Sequence, residues 1–279
     1  MSDYLPHAAW VRAAPDSAAH SHKVFLFLHG ILGSGGNLRA LAQAFVRSAP
    51  GHEALLVDLR QHGRSRGAPP PHDVDACADD LLRLEASLPK PVVGVVGHSF
   101  GGKVALAFHQ RRPALERVAT LDSLPGVSEE RAGSEQTISV LEMLERLPRH
   151  YQRREQFVES VHAEGHSRAI ADWLAMNLER SAHGFTFATE LDTIRALLDS
   201  YFALDLWPVI EHSAARIDLV IGGRSRVWSE RDRERALALQ AQRPERVHVH
   251  LLPDAAHWVH VDSPQALRDA LFPAQRAMP

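Results

Sequence analysis

The chain has 279 residues, of which 45% are hydrophobic and 23% charged, and a formal net charge of −3. That length buries a sizeable core in one elaborated domain or two, and the near-balanced charge supplies no field for nucleic acid or an anionic membrane. The one cysteine, Cys77, excludes an intrachain disulfide and fits a reducing compartment, so the expected location is cytoplasmic.

The start, Met1-Ser2-Asp3-Tyr4-Leu5-Pro6, has no basic region followed by an apolar run, so no signal peptide is expected. No apolar stretch approaches the ~20 residues of a membrane helix. Val24–Leu28 reads as a short buried strand. Asn37 is placed to cap a helix in which Leu38, Leu41, Ala42 and Phe45 share one face. Ala54–Val57 is the next strand, and Pro69-Pro70-Pro71 marks a loop. Asp73 caps a helix carrying Val74, Cys77, Ala78, Leu81 and Leu82. Val92–Val96, a helix from Lys103 and Val118–Leu121 follow. Short apolar strands alternating with amphipathic helices predict a parallel sheet covered on both faces, an α/β fold.

The alternation stops at about Glu129. Ile138–Leu147, Gln156–His162, Ile170–Leu178 and Leu191–Phe202 read as helices, with no strand of comparable quality among them. The expected organisation is a first α/β part over 1–128, a helical cap over 129–210 lying on the carboxyl edge of the sheet, and a second α/β part over 211–279. Ile217–Ile221 and Val247–Leu252 supply its strands and Ala266–Leu271 its closing helix.

Chemistry concentrates at Gly97-His98-Ser99-Phe100-Gly101, a Gly-x-Ser-x-Gly segment between the strand Val92–Val96 and the helix from Lys103. A serine on such a strand-to-helix turn exposes its hydroxyl at the carboxyl end of the sheet as a nucleophile. It needs a base, and His257, in the loop after the last strand, is the candidate; His260 is the nearest competitor. Two places remain for the acid that orients the imidazole. The loop after Ile217–Ile221 reads Gly222-Gly223-Arg224-Ser225-Arg226-Val227, with serine where an aspartate is often found, and Asp232 comes several residues late. Asp122 ends the strand expected beside the elbow strand and is the candidate. His29-Gly30-Ile31-Leu32-Gly33 follows Val24–Leu28, and the backbone N–H groups of Ile31 and Phe100 are the expected oxyanion donors. No Gly-Lys-Ser/Thr follows His29-Gly30, so a phosphate loop is disfavoured. Although there are 18 histidines, neither His-Glu-x-x-His nor paired Cys-x-x-Cys occurs, and no metal or cofactor is expected.

Taken together, His29-Gly30, Asp58-x-x-x-His62-Gly63-x-Ser65, Gly97-His98-Ser99-Phe100-Gly101-Gly102 and Ala256-His257 resemble the α/β-hydrolase superfamily. The resemblance is closer to small bacterial and mitochondrial acyl-esterases, which show His-Gly-Leu-Leu-Gly-Ser, Asp-x-Arg-x-His-Gly, Gly-His-Ser-Met-Gly-Gly-Lys and Gly-His-Trp-Val-His. The corresponding segments are His29–Ser34, Asp58–Gly63, Gly97–Lys103 and Ala256–His260. In that subfamily the acid follows the sixth strand, as Asp122 would, and Gly-Gly-x-Ser fills the usual acid loop. Phe100 replaces methionine and narrows the expected acyl pocket; Ala256 replaces glycine. Asp58 and His62 are expected to shape the turn after Ala54–Val57 and to support the oxyanion loop.

The resemblance implies a serine hydrolase of small-molecule carboxylic esters or thioesters acting through an acyl-enzyme on Ser99, with no nucleic-acid or membrane partner. Lyase, C–C hydrolase or perhydrolase chemistry uses the same three residues, and a non-catalytic binding protein on the same scaffold is the remaining alternative. Arg146, Arg149, His150, Arg153 and Arg154 form a basic run that reads as a solvated helix face, or alternatively as a contact for an anionic substrate group. Trp173, Trp207 and Phe202 are candidates to line an acyl pocket or to pack in the core.

Overall fold

The protein is described here by a computed structural model, in which residues 4–12, 23–128 and 135–272 are placed. In chain order the first part contains β1 (Ala8–Val11), β2 (Lys23–Leu28), α1 (Arg39–Ser48), β3 (His52–Val57), α2 (Val74–Ser87), β4 (Val92–His98), α3 (Phe100–Arg111) and β5 (Arg117–Leu121). The insertion contains α4 (Glu135–Arg146), β6 (His150–Tyr151), α5 (Arg154–Ala163), α6 (Arg168–Leu174), β7 (Leu178–Ser181), β8 (Gly184–Phe187), α7 (Leu191–Ala203) and α8 (Trp207–His212). The chain returns through β9 (Arg216–Gly222), α9 (Glu230–Gln242), β10 (Val247–Leu252), α10 (Val259–Asp262) and α11 (Pro264–Leu271).

Seven strands form one sheet in the order β1-β3-β2-β4-β5-β9-β10. Every pairing is parallel except β1 with β3. The α/β expectation therefore holds: a mostly parallel sheet flanked by helices. Within β2 the side chains alternate between faces, as strand geometry requires. Val24, Leu26 and Leu28 pack with α2 and α3, while Phe25 and Phe27 pack with Leu41 and Phe45 of α1 and Leu267 of α11. The register of β2 on β4 shifts between Val24 and Phe25. At the shift the Phe25 ring covers Gly94 so closely that a Cβ there would lie 2.3 Å from it.

Several local expectations are refined. Asp73 caps α2, its side chain accepting the Ala76 N–H at 2.6 Å. Asn37 does not cap α1; its Oδ1 accepts the Ser34 N–H at 2.7 Å inside a 3₁₀ turn, and α1 begins at Arg39. The antiparallel strand β1 has too few residues to show a pattern in the sequence. The insertion is not all helical: β6, β8 and β7 form a three-stranded antiparallel sheet. Strands of two to four residues give no readable alternation. The expected start of the cap at Glu129 lies outside the described residues, and α8 runs across the expected boundary at 210. The strand preceding Asp122, the sixth in the count of the resemblance, is the fifth among the described residues.

Parallel order brings the carboxyl ends of β2, β4, β5, β9 and β10 to one edge. Because β5 and β9 are neighbours, the insertion that joins them rises from that edge. Its apolar residues, including Leu141, Phe157, Leu174 and Leu197, belong to the same core cluster as Leu26 and Val95. Among the described residues no helix is long and apolar enough to cross a membrane.

A buried lysine clamps the insertion to the sheet. Lys103, on α3, is fully buried. Its ammonium donates to the carbonyls of Gly126 (2.7 Å), Leu204 (2.8 Å) and Tyr201 and lies 4.6 Å over the Tyr201 ring. Three N–H donors meet three acceptors, from both ends of the insertion. Lys103→Met leaves those buried carbonyls unpaired, at about 1–3 kcal/mol each. A urea titration is expected to show a loss of at least about 3 kcal/mol; an unchanged midpoint with an unchanged slope would contradict the clamp.

Candidate active site

Ser99 follows β4 and precedes α3 with φ +50° and ψ −118°. A non-glycine residue there carries about 1–3 kcal/mol of strain, which the surrounding structure must enforce. The turn is possible because its flanks lack side chains. A Cβ on Gly97 would lie 2.0 Å from the Gly101 carbonyl oxygen, and one on Gly101 would lie 2.5 Å from that of Leu28. The Ser99 N–H is anchored on the Leu121 carbonyl at 2.9 Å.

Three segments distant in the chain meet at this hydroxyl. The Ser99 Oγ lies 3.0 Å from His257 Nε2, and His257 Nδ1 lies 2.7 Å from Asp122 Oδ2. With Nδ1–H donating to the carboxylate, Nε2 is left as acceptor for the serine proton. Asp122 is fully buried and has φ +46°. Its Oδ1 accepts the Gly222 N–H at 3.0 Å and its Oδ2 the Ser225 hydroxyl at 2.5 Å. Ser225 thus stands at the side of Asp122 as its hydrogen-bond donor. Asp232 is engaged elsewhere, accepting from the Ser229 hydroxyl at the start of α9.

His98, inside the elbow motif, is a partner the sequence did not reveal. Its Nε2–H donates to the carbonyl of His257 at 2.9 Å, a second tie between the elbow and the loop after β10. The signal was its place in the motif, but a contact with a backbone atom far along the chain leaves no pattern. His260 sits with its ring 4.6 Å from that of His98, and its Nδ1 has no partner among the described residues.

The turn after β2 is braced from below. His29 Nε2 accepts the Leu59 N–H at 2.9 Å, which leaves Nδ1–H to donate to the Gly30 carbonyl at 2.7 Å. Gly33 N–H closes the turn on Gly30, and Leu32 takes φ +58°. Asp58 accepts from Gly35 N–H (2.7 Å) and Arg64 N–H (2.9 Å), and His62 Nδ1–H donates to the Arg60 carbonyl (2.9 Å). These groups hold the two loops together, and among the described residues none of them hydrogen-bonds to Ser99. Ile31 and Phe100 flank Ser99. Phe100 opens α3, where a first-turn N–H has no partner within its own helix.

Two recesses open from Ser99. The larger, of about 450 Å³, is mostly apolar and receives Thr137, Val140, Ile170, Trp173 and Met176 from the insertion. The smaller, of about 20 Å³, shares Ile31, Thr137 and His257 with the larger and adds Phe100, Leu198, Tyr201 and Val227. Of the three aromatic candidates only Trp173 borders a recess; Trp207 and Phe202 are buried in the core. The basic run from Arg146 to Arg154 borders neither. Arg146 pairs with Glu164, Arg149 with Glu190 and Arg154 with Asp172, as on a solvated face.

Burial penalises the imidazolium form, so four neighbouring histidines are held below the ordinary imidazole range. His260 falls to about 4 and His62 to about 3, and His29 and His98 also fall. A lowered folded pKa means that the unfolded chain binds more protons below pH ~6.5. Stability should therefore fall with pH between about 6.5 and 4, at up to about 1.4 kcal/mol per pH unit for each such ring. Urea titrations at pH 7, 6 and 5 check this, and a flat profile would show that these rings protonate freely in the fold.

A family model described as the alpha/beta hydrolase family matches residues 25–270. The sn-1-specific diacylglycerol lipase ABHD11 of Mus musculus is 32% identical over 261 residues, 88% of this chain and 78% of that protein. Esterase YbfF of Escherichia coli is 26% identical over 276 residues, 94% of this chain and 96% of its own. Among solved structures, a marine microorganism esterase superposes with a TM-score of 0.79 at 20% identity, covering 97% of this chain and all of that one, a likeness in fold.

Proposed function

The chain belongs to the alpha/beta hydrolase family, and from that premise we propose that it is a serine hydrolase of small-molecule carboxylic esters or thioesters working through Ser99, His257 and Asp122. The observation that carries the reading is the unbroken run of hydrogen bonds from Ser99 Oγ through His257 to Asp122. Its relatives named as a lipase and an esterase support ester cleavage.

In this mechanism Ser99 Oγ attacks the ester carbonyl carbon while His257 Nε2 takes the hydroxyl proton. Asp122 fixes the tautomer and stabilises the imidazolium. The negative oxygen of the tetrahedral intermediate lies against the N–H groups of Ile31 and Phe100, each worth about 3 kcal/mol at the transition state. Collapse expels the alcohol or thiol, which takes the proton from His257. Water then attacks the acyl-enzyme, with His257 again as base, and releases the carboxylic acid. The residues between β5 and β9 act as a cap that walls the larger recess. The buried, unpaired Cys77 thiol supports a cytoplasmic setting.

Ser99→Ala is expected to abolish both fluorophosphonate labelling and the burst with an activated ester; a burst that survives would remove Ser99 from the mechanism. Asp122→Asn should lower kcat by about 10⁴-fold through the wrong imidazole tautomer. If Asp232→Asn does so instead, the acid is misassigned. His98→Ala, which frees the His257 carbonyl, should lower kcat by about tenfold to a hundredfold with KM little changed. An unchanged kcat would make that tie purely structural.

A further inference from the structure

Asn177 lies in the insertion, in a single 3₁₀ turn (Ala175–Asn177) that follows α6, yet its side chain reaches the loop beside Ser99. It is buried, and its Nδ2 donates to the Leu32 carbonyl at 2.9 Å and to the Leu174 carbonyl at 3.3 Å. Both neighbours are carbonyl oxygens, so the amide nitrogen is the end that must face them. The Leu174 contact closes the end of α6. The Leu32 contact crosses from the insertion to the turn after β2, 145 residues away in the chain.

From Leu32 the effect passes through two peptide groups. The peptide joining Leu32 to Gly33 has its carbonyl on Asn177 and its N–H on the Gly30 carbonyl at 3.0 Å. The Gly30 carbonyl, which also accepts from His29 Nδ1–H at 2.7 Å, belongs to the peptide that carries the Ile31 N–H. A trans peptide is planar, with its C=O and N–H pointing opposite ways, so fixing one aims the other. Leu32 is the third residue of the turn and has φ +58°, a conformation that turns reserve mainly for glycine and asparagine. A leucine there needs its surroundings to hold it. Its buried side chain fixes where the residue sits, but apolar packing is non-directional and does not set a peptide plane. Resting on the hydrolase reading above, we infer that Asn177 is a positioning residue for the oxyanion: through this amide the insertion aims the Ile31 N–H at the oxygen that becomes negative. The helix α6, which Asn177 follows, also brings Ile170 and Trp173 to the large recess. One element therefore encloses the substrate and sets the donor.

The test compares wild type with Asn177→Ala on a p-nitrophenyl ester, with competent sites counted by fluorophosphonate titration. A misaimed donor weakens only what develops in the transition state. The kcat should therefore fall by about tenfold to a hundredfold, short of the ~10²–10³ for deleting a donor outright, while KM stays within about twofold. An alkyl trifluoromethyl ketone forms a hemiketal on Ser99 that carries the same negative oxygen. Its Ki should rise by about the factor by which kcat falls. A side chain that only seated the insertion would leave both untouched. Asn177→Leu, similar in size and without a donor, gives the same readout if the alanine variant does not fold. Arg66, in the loop after β3, pairs with Glu179 of β7, a second tie between insertion and core made by other residues. Glu179→Gln should leave kcat and the ketone Ki unchanged. An Asn177 variant whose titrated sites keep the wild-type kcat, or in which KM alone changes, would overturn the inference and leave the hydrolase reading standing. An equal loss of kcat in Glu179→Gln would do the same. Wild type that neither labels at Ser99 nor cleaves the ester would overturn that reading and the inference with it.

Discussion

The carboxylate of Asp122 is the group on which the arrangement at the sheet edge depends. Burying an ionised carboxylate costs several kcal/mol unless its lone pairs are met. Here they are met from three places: the Gly222 N–H, the Ser225 hydroxyl and the His257 ring. Those donors sit at the end of β9, in the loop after it and in the loop after β10. A single buried charge thus draws three connections into one register. Serine at 225 is part of that solution. A second carboxylate in its place would face Asp122 across the same hydrogen bond, and two like charges at that distance cannot both stay ionised.

Backbone strain marks the same edge. Leu32, Ser99 and Asp122 all take positive φ, each just beyond the end of a parallel strand. L-residues avoid that region, so each is held by its surroundings. The surroundings are neutral imidazoles as much as apolar side chains. His29 ties the loop at Gly30 to Leu59, and His98 ties the elbow to the His257 carbonyl. Burial keeps His29 and His98 uncharged. Each can therefore serve as a fixed hydrogen-bonding brace without bringing a second positive charge towards His257.

Much of this was legible in the sequence because it is local. The elbow is a five-residue pattern, with Gly97 kept small by the Gly101 carbonyl in the same turn and Gly101 by the Leu28 carbonyl of β2, and the alternation of strands and helices follows from side-chain periodicity. Asp122 was singled out by its place at the end of the strand beside the elbow strand, by Ser225 at the usual acid position and by the family resemblance; the structure adds a hydrogen bond between the two side chains. What stayed hidden is non-local or short. The His98 tie joins a side chain to a distant backbone carbonyl. The sheet β6-β8-β7 is built from strands too brief to alternate. Asn37 has the chemistry of a helix cap, yet the tight turn claims its side chain for Ser34.

Lys103 connects these scales. It stands four residues after the elbow serine, on the helix that the elbow launches, and its ammonium is the only side-chain group seen donating to carbonyls at both ends of the insertion among the described residues. Tyr201, which it grips by carbonyl and by ring, is also a wall of the small recess, opposite Phe100. The side chain that seats the insertion on the sheet therefore also touches a wall of the space beside Ser99. Hydrophobic packing alone would leave that wall free to adjust, since apolar contacts are non-directional. Three hydrogen bonds to carbonyls are directional, so they fix the position of Tyr201 beside the recess more closely than packing would.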